Sequence, residues 1–175
     1  STLDGTLFPY TTLFRSRYEA LAEEFGWNEA QWLTLASVVE KEAQQREEQP
    51  LIAGVFFNRL RDPNFRPARY LQSDATARYP CVVAPETVAS CAGYKGKVTP
   101  AMVRDANNPY NTYRHAGLPP GPIGNPGDGA LEAVLVPAAT DALFFVATGH
   151  GRHTFTRTLQ EHEAAIEGHG PTDAP

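Results

Sequence analysis

The sequence predicts an α+β fold, and three observations carry that reading. Helical periodicity recurs in several segments, two short β-type runs flank a Gly-containing turn near the C-terminus, and no βαβ alternation joins them. The clearest helix begins after Asn28. Asn28 followed by Gln31 is a capping-box signature, and Trp32, Leu35, Ala36, Val39 and Ala43 then fall at i, i+3, i+4, i+7 and i+11 on one face. Pro50 suits the first turn of a second helix. Leu51, Ile52, Val55, Phe56 and Leu60 supply its buried face until Asp62-Pro63 ends it. Residues 63–70 read as a Pro/Arg-rich loop. Leu71 to Asp74 reads as extended, turning helical toward Tyr79, with loop from Pro80 to Gly96. Thr99 caps a short helix that opens on Pro100 and runs to about Asp105.

From Asn107 to Gly129 the chain is dense in Asn, Pro and Gly, yet it carries Tyr110, Tyr113, Leu118 and Ile123. A long loop with its own apolar anchors reads as a binding loop, whereas flexible linkers are Gly/Ser-rich. Asp128 to Val136 reads as a helix stopped at Pro137. Leu143 to Thr148 and His153 to Thr156 form a hairpin about His150-Gly151-Arg152, and a last helix runs from Leu159 to about Glu167. The tail 169–175 is expected to be mobile.

The length of 175 residues suits one domain with a real core. Its 15 Lys and Arg stand against 20 Asp and Glu, a net charge of -5, and no basic cluster stands out. That balance is a poor match for a polyphosphate, so nucleic acid is not an expected partner, and a glycan fits better. Cys81 and Cys91 lie close together in a Pro-punctuated stretch. In an oxidising compartment they would close a short disulfide loop, and in the cytosol they would be two thiols. No apolar run reaches the ~20 residues of a membrane helix. Residues 6–16, TLFPYTTLFRS, read as the translation of a sequencing-adapter oligonucleotide. Residues 1–16 therefore stand outside the fold reading, and 6–16 are expected to pack poorly against the rest.

The string Val39-Glu40-Lys41-Glu42 holds the most distinctive chemistry. At 100° per residue Lys41 points away from the apolar stripe, while Glu40 and Glu42 lie on its two borders. A border carboxylate that is half-buried gains proton affinity by desolvation and moves toward the range of a general acid. An ordinary solvated helix edge has the same pattern, and geometry does not choose between the two glutamates. His150, His153 and His162 raise the question of zinc, but a His-x-x-His on a hairpin does not turn both rings to one side. No metal and no cofactor are expected.

Several motifs in order resemble one family. Leu35-Ala36-Ser37-Val38-Val39-Glu40-Lys41-Glu42-Ala43 resembles the active-site helix of the endolytic murein transglycosylases, the YceG-like family. Val55-Phe56-Phe57-Asn58-Arg59-Leu60 resembles its second helix, and Leu71-Gln72-Ser73-Asp74-Ala75-Thr76 its LQSDPT motif, with Ala75 where Pro is usual. Tyr110-Asn111-Thr112-Tyr113 and Gly117-Leu118-Pro119-Pro120-Gly121-Pro122-Ile123 resemble its substrate loop. Phe144-Phe145-Val146-Ala147 and His153-Thr154-Phe155 resemble its closing hairpin, and Glu161-His162 its last helix. The resemblance spans about residues 33–166.

It implies a catalytic domain over 17–168, with Glu40 as the single acid and then base. The implied reaction cleaves the β-1,4 bond between N-acetylmuramic acid and N-acetylglucosamine within a glycan strand and leaves a 1,6-anhydromuramoyl end. Gln72, Ser73, Asn111 and Tyr113 are of the polar types that line sugar sites. Asp74 is the other acid in a motif, either a turn former or a substrate contact, and His153 lies in the closing motif. The resemblance further implies an N-terminal membrane anchor and a small LysM-like subdomain outside this chain, an extracytoplasmic location, and partners in the cell-wall elongation machinery. Two other functions remain open: a non-catalytic peptidoglycan-binding module, and a water-using muramidase pairing Glu40 with Asp74.

Overall fold

The computed structural model describes residues 9–65 and 69–169, with side chains from Arg15 to Gly168. Seven α-helices and one two-stranded antiparallel sheet occur among these residues, an α+β arrangement. In chain order they are α1 (Pro9–Phe25), α2 (Glu29–Glu42), α3 (Gln49–Arg61), α4 (Asp74–Val83), α5 (Pro100–Arg104), α6 (Asp128–Leu135), β1 (Phe144–Gly149), β2 (Arg152–Thr156) and α7 (Leu159–His169).

The caps read from the sequence form as their chemistry dictates. The Asn28 side chain accepts from the Gln31 backbone N–H while the Gln31 side chain accepts from Asn28 N–H, each at 3.0 Å. Pro50 sits in the first turn of α3, and the Thr99 hydroxyl caps α5. The hairpin pairs Phe144 with Thr156 through Ala147 with His153, and an irregularity at Gly149 leads into the turn.

Two elements depart from the sequence reading. Helix α1 was not anticipated, although Tyr18, Leu21 and Phe25 share one face. Tyr18 meets Trp32 edge-on, Phe25 stacks on Trp27 and tilts against Phe57, and Gly26 ends the helix at φ +66°. The expectation of poor packing for 6–16 rests on Phe8 and Phe14, whose side chains lie outside the described residues. Helix α4 continues through Pro80 to Val83 instead of stopping before it. An internal proline loses one helical hydrogen bond at a cost of ~3 kcal/mol. Here Pro80 and Cys81 are both buried, and Cys81 is bonded to Cys91 with Cα atoms 4.9 Å apart. A small second cluster of Val88 and Met102 packs around that bridge.

Helices α2, α3 and α6 pack on one another over the main core, which includes Leu35, Val39, Ile52, Phe56, Phe57 and Val134. Helix α3 also supports the strap of chain between α6 and β1. At Gly54 an added Cβ would lie 2.6 Å from the Ala138 carbonyl, so only glycine admits that strap so close. The Ala138 N–H donates to Pro50 O, and the Asn58 amide donates to Thr140 O and Ala142 O. The strap thereby delivers the hairpin to a fixed place beside α3.

The bridge closes a short loop, with a sequence separation of 10. Serine at both Cys81 and Cys91 is therefore expected to lower the free energy of unfolding by about 3 kcal/mol. Urea titration of the two proteins checks this, and coincident midpoints would exclude a stabilising bridge.

Candidate active site

The last turn of α2 carries Glu40 and Glu42, and the two carboxylates hold different parts of the molecule. Glu40 is half-buried. Its Oε2 accepts from Gln49 Nε2 at 3.2 Å and from the Gly127 backbone N–H at 3.2 Å. Gln49 opens α3 and is itself buried, while Gly127 is the N-cap of α6, where backbone N–H groups lack helical partners. Both donors converge on one oxygen. Among the described residues no donor reaches Oε1.

Glu42 faces the other way. Its Oε1 accepts from the Ser73 hydroxyl and from Ala75 N–H at 3.5 Å, so it caps the start of α4. Burial raises its pKa above the ordinary carboxylate value. The Ser73 hydrogen bond opposes the rise, Asp74 adds to it, and Ala75 N–H and Arg78 oppose it. The desolvation expected at the helix border thus falls on Glu42.

Residues 71–76 and 108–113 are sewn together by hydroxyls and amides. Gln72 N–H donates to Thr112 O, Ser73 N–H donates to the Thr112 hydroxyl at 3.0 Å, and the Thr76 and Thr112 hydroxyls meet at 2.7 Å. Gln72 bends this segment with φ +54°, a conformation uncommon for a residue with a side chain. Tyr113 donates its hydroxyl to Asp74 Oδ1 at 2.8 Å, and burial followed by the Asp74 charge pushes its pKa up. Beneath them lies Arg59, 5% exposed, whose guanidinium donates to Leu71 O and Leu143 O. Burial lowers its pKa to about 10, while Tyr113 and Glu42 act in the opposite direction.

Three of the residues read as sugar contacts are occupied within the protein. Asn111 is fully buried and donates to the carbonyls of Met102, Val103 and Asp105, while its own carbonyl accepts from Tyr113 N–H. Ser73, 1% exposed, is held between Glu42 and the Thr76 N–H. The His153 ring pairs with Glu48 Oε2 at 2.8 Å, and its backbone N–H donates to Glu48 Oε1. Gln72, Asp74 and Tyr113 keep partly or fully exposed surface. Glu40 is walled by the start of α3 and the start of α6, while the 71–74 segment is held by Glu42.

Sequence reading missed Gln49, Glu48, Gly127, Arg59 and Ser37. Ser37 is buried in α2, donates to Thr34 O and accepts the Ile123 N–H at 2.9 Å, which ties the long loop to the helix that bears Glu40. A buried serine three residues before Glu40 was the one signal available for that tie. An open pocket of about 170 Å³ lies beside Gln49, lined by Arg46, Gln49, Pro50, Gly129, Glu132, Ala133 and Val136. Arg46 and Asp128 form an exposed pair at 3.1 Å on its side.

A helical end bearing a half-buried carboxylate, with the starts of α3 and α6 fastened to it, makes a candidate site for proton transfer. The chain belongs to the YceG-like family, whose pattern matches residues 6–168. It is 39% identical over 137 residues to the endolytic murein transglycosylase of Bacillus subtilis strain 168, covering 77% of this chain and 33% of that protein. It is 31% identical over 173 residues to the protein of that name from Streptococcus pneumoniae serotype 2 strain D39, covering 97% of this chain and 27% of the other. The chain thus spans about a third or less of the curated relatives it matches. A crystal structure of a YceG-like protein from Listeria monocytogenes superposes with a TM-score of 0.67 at 36% identity, covering 86% of this chain and 44% of that one.

The raised Glu42 pKa gives a signed expectation. Between the ordinary value of 4.5 and the higher folded value, the folded state binds more protons than the unfolded state. The unfolding free energy therefore falls as pH rises through that window, and the Glu42 contribution is full only below it. Glu42→Gln keeps an acceptor for Ser73 and Ala75 and should abolish that part of the decline. Denaturant titrations at stepped pH measure it, and identical slopes in both proteins would exclude Glu42 as its source.

Proposed function

We propose that this chain is the catalytic portion of an endolytic lytic transglycosylase of bacterial peptidoglycan, with Glu40 as its one acid and base. The observation that carries this reading is the fixing of Glu40 Oε2 by Gln49 and Gly127, with Oε1 left for chemistry. Family membership and the names of the relatives supply the substrate class. In the proposed reaction Glu40 Oε1 gives its proton to the oxygen leaving the muramoyl C1 as the β-1,4 bond breaks. The carboxylate then takes the proton of the muramoyl C6 hydroxyl as that oxygen bonds to C1. Glu40 ends as it began, water is not consumed, and the new end is a 1,6-anhydromuramoyl unit.

A water-using glycosidase needs a second carboxylate, whereas an internal nucleophile does not. Asp74 carries the Tyr113 hydroxyl, which suits an acid that positions a neighbouring ring better than one that activates water. We assign Gln72, Asp74 and Tyr113 to the glycan-facing surface, since each keeps exposed area beside the 71–76 turn. Ser73, Asn111 and His153 are assigned to holding that surface in place.

We also propose that the protein works outside the cytoplasm, consistent with the Cys81–Cys91 bridge and a cell-wall substrate. Among the described residues no helix is long and apolar enough to cross a membrane. Anchoring, a LysM-like subdomain and contacts with the elongation machinery remain expectations for the full-length protein.

Glu40→Gln is expected to keep fold and glycan binding while lowering turnover by at least ~10²–10⁴, the usual contribution of general acid–base catalysis. Mass spectrometry of digested peptidoglycan should show anhydro ends with the parent protein and none with the variant. Glu42→Gln should retain them. Reducing ends without the anhydro bridge would establish a muramidase, and an active Glu40→Gln variant would remove Glu40 from the chemistry.

A further inference from the structure

Among the described residues Gln49 is the one side chain that donates to Glu40, and its own geometry is unusual. The residue is 6% exposed, and its Oε1 is buried without a hydrogen-bond partner. A buried primary amide is best placed when both ends are paired, and an orphaned carbonyl oxygen is costly. The orientation is nonetheless set by Glu40, because a carboxylate oxygen can only accept and therefore selects the Nε2 end. The amide is committed to Glu40 at the expense of its other end.

The surroundings show how that commitment is accommodated. Gln49 follows Glu48, which is clamped by the His153 ring and backbone, so the hairpin fixes the turn that presents it. On the far side the Gln49 Oε1 points at Gly129, in the first turn of α6. A Cβ built on Gly129 would lie 2.5 Å from Gln49 Oε1 and 2.8 Å from Arg46 Nε. Gly129 has no positive φ and is helical, so neither its backbone conformation nor its place calls for glycine. The space it leaves is filled by the end of the Gln49 side chain.

We infer that Gln49 is a positioning residue for Glu40, and that Gly129 is kept small so that the Gln49 amide can stay in place. This rests on the reading of Glu40 as the acid and adds how its two oxygens are told apart. Donation from Gln49 and Gly127 holds Oε2 as the acceptor oxygen in both protonation states, so the proton always resides on Oε1. Charged groups on the elements around this contact are Lys41 and Glu42 on α2, Arg46 with Asp128, Glu48 with His153, and Glu132 on α6. They are common to every variant in the series and cancel in the comparison.

The test is a series at position 49 together with one substitution that leaves Gln49 intact. Gln49→Met keeps the length and removes the donor, Gln49→Glu places a like charge beside Glu40, and Gln49→Arg places a cation there. The alkaline limb of the pH–activity profile on isolated peptidoglycan should move up in the order Arg, Gln, Met, Glu. Each step should be roughly a pH unit or less, one unit being a tenfold change in proton affinity. Turnover of Gln49→Met should fall roughly tenfold with KM unchanged, as for loss of one hydrogen bond to a charged group.

Gly129→Ala should push the amide aside and reproduce the Gln49→Met profile while the unfolding midpoint stays level or rises, since alanine favours a helix. Carbon-13 NMR of the Glu40 side-chain carboxyl, assigned by its loss in Glu40→Gln, reads the same titration order without relying on activity. An unmoved Glu40 titration across the series, with Glu40→Gln inactive, would overturn the role of Gln49 and leave the catalytic assignment standing. An active Glu40→Gln variant would instead sink the catalytic assignment, whatever the titrations show. A Gly129→Ala protein with the parent profile would overturn the part given to Gly129.

Discussion

A buried cation sets the terms for the rest of the site. Arg59 projects from α3 into a place where water does not follow, and an ion in that position must find partners or lose its charge. Its guanidinium is answered by two carbonyls from distant segments, Leu71 and Leu143, and by the faces of Phe65, Phe144 and Phe145 at 5.3–5.8 Å. With a pKa lowered only to about 10 it stays charged at neutral pH. The chain entering the 71–76 turn and the chain entering the hairpin are therefore both tied to α3. Lysine could not replace it, because one ammonium cannot reach two carbonyls in a planar fork while lying across aromatic rings.

Helix α2 supplies the complementary constraint. Residues 40 and 42 lie 200° apart around the helix, so their side chains leave toward different neighbours. Glu42 takes the side over α4, where burial raises its pKa and the Ser73 hydroxyl and Ala75 N–H give it a structural task. Glu40 takes the side over α6, where two N–H groups meet a single oxygen. A raised proton affinity alone would have singled out Glu42. Each carboxylate is held through one oxygen, so what favours Glu40 is its place in the motif that resembles the family's active-site helix.

What could be read from the sequence was what local chemistry decides. The cap at Asn28, the proline opening α3, the Thr99 cap and the hairpin each depend on residues within a few positions of one another. Helix α1 was missed because its face is sparse and its support comes from Trp32 and Phe57 in other helices. The stop placed at Pro80 was wrong because packing and the Cys81–Cys91 bridge outweigh one lost hydrogen bond. For the site, the motif pointed to Glu40, Gln72, Asp74 and Tyr113. It pointed equally to Asn111 and Ser73, since a polar residue in a loop looks the same whether its partner is a sugar or the loop's own backbone.

That ambiguity has a physical origin in the loop itself. Between Ala106 and Pro126 the chain forms no helix or strand, and apart from the single bridge of Gly117 to Tyr70 its backbone groups have no ladder to pair them. A segment of that kind holds one shape only if side chains replace the missing ladder, and here Asn108, Asn111, Thr76 and Ser37 do so through Ala77 O, Met102 O, Thr112 N–H and Ile123 N–H. The final attachment is Gly127 N–H on Glu40. The carboxylate assigned the chemistry is thus also the last fastening of the loop. Any displacement of that loop alters the hydrogen bonding of Glu40 directly, with no intermediary required.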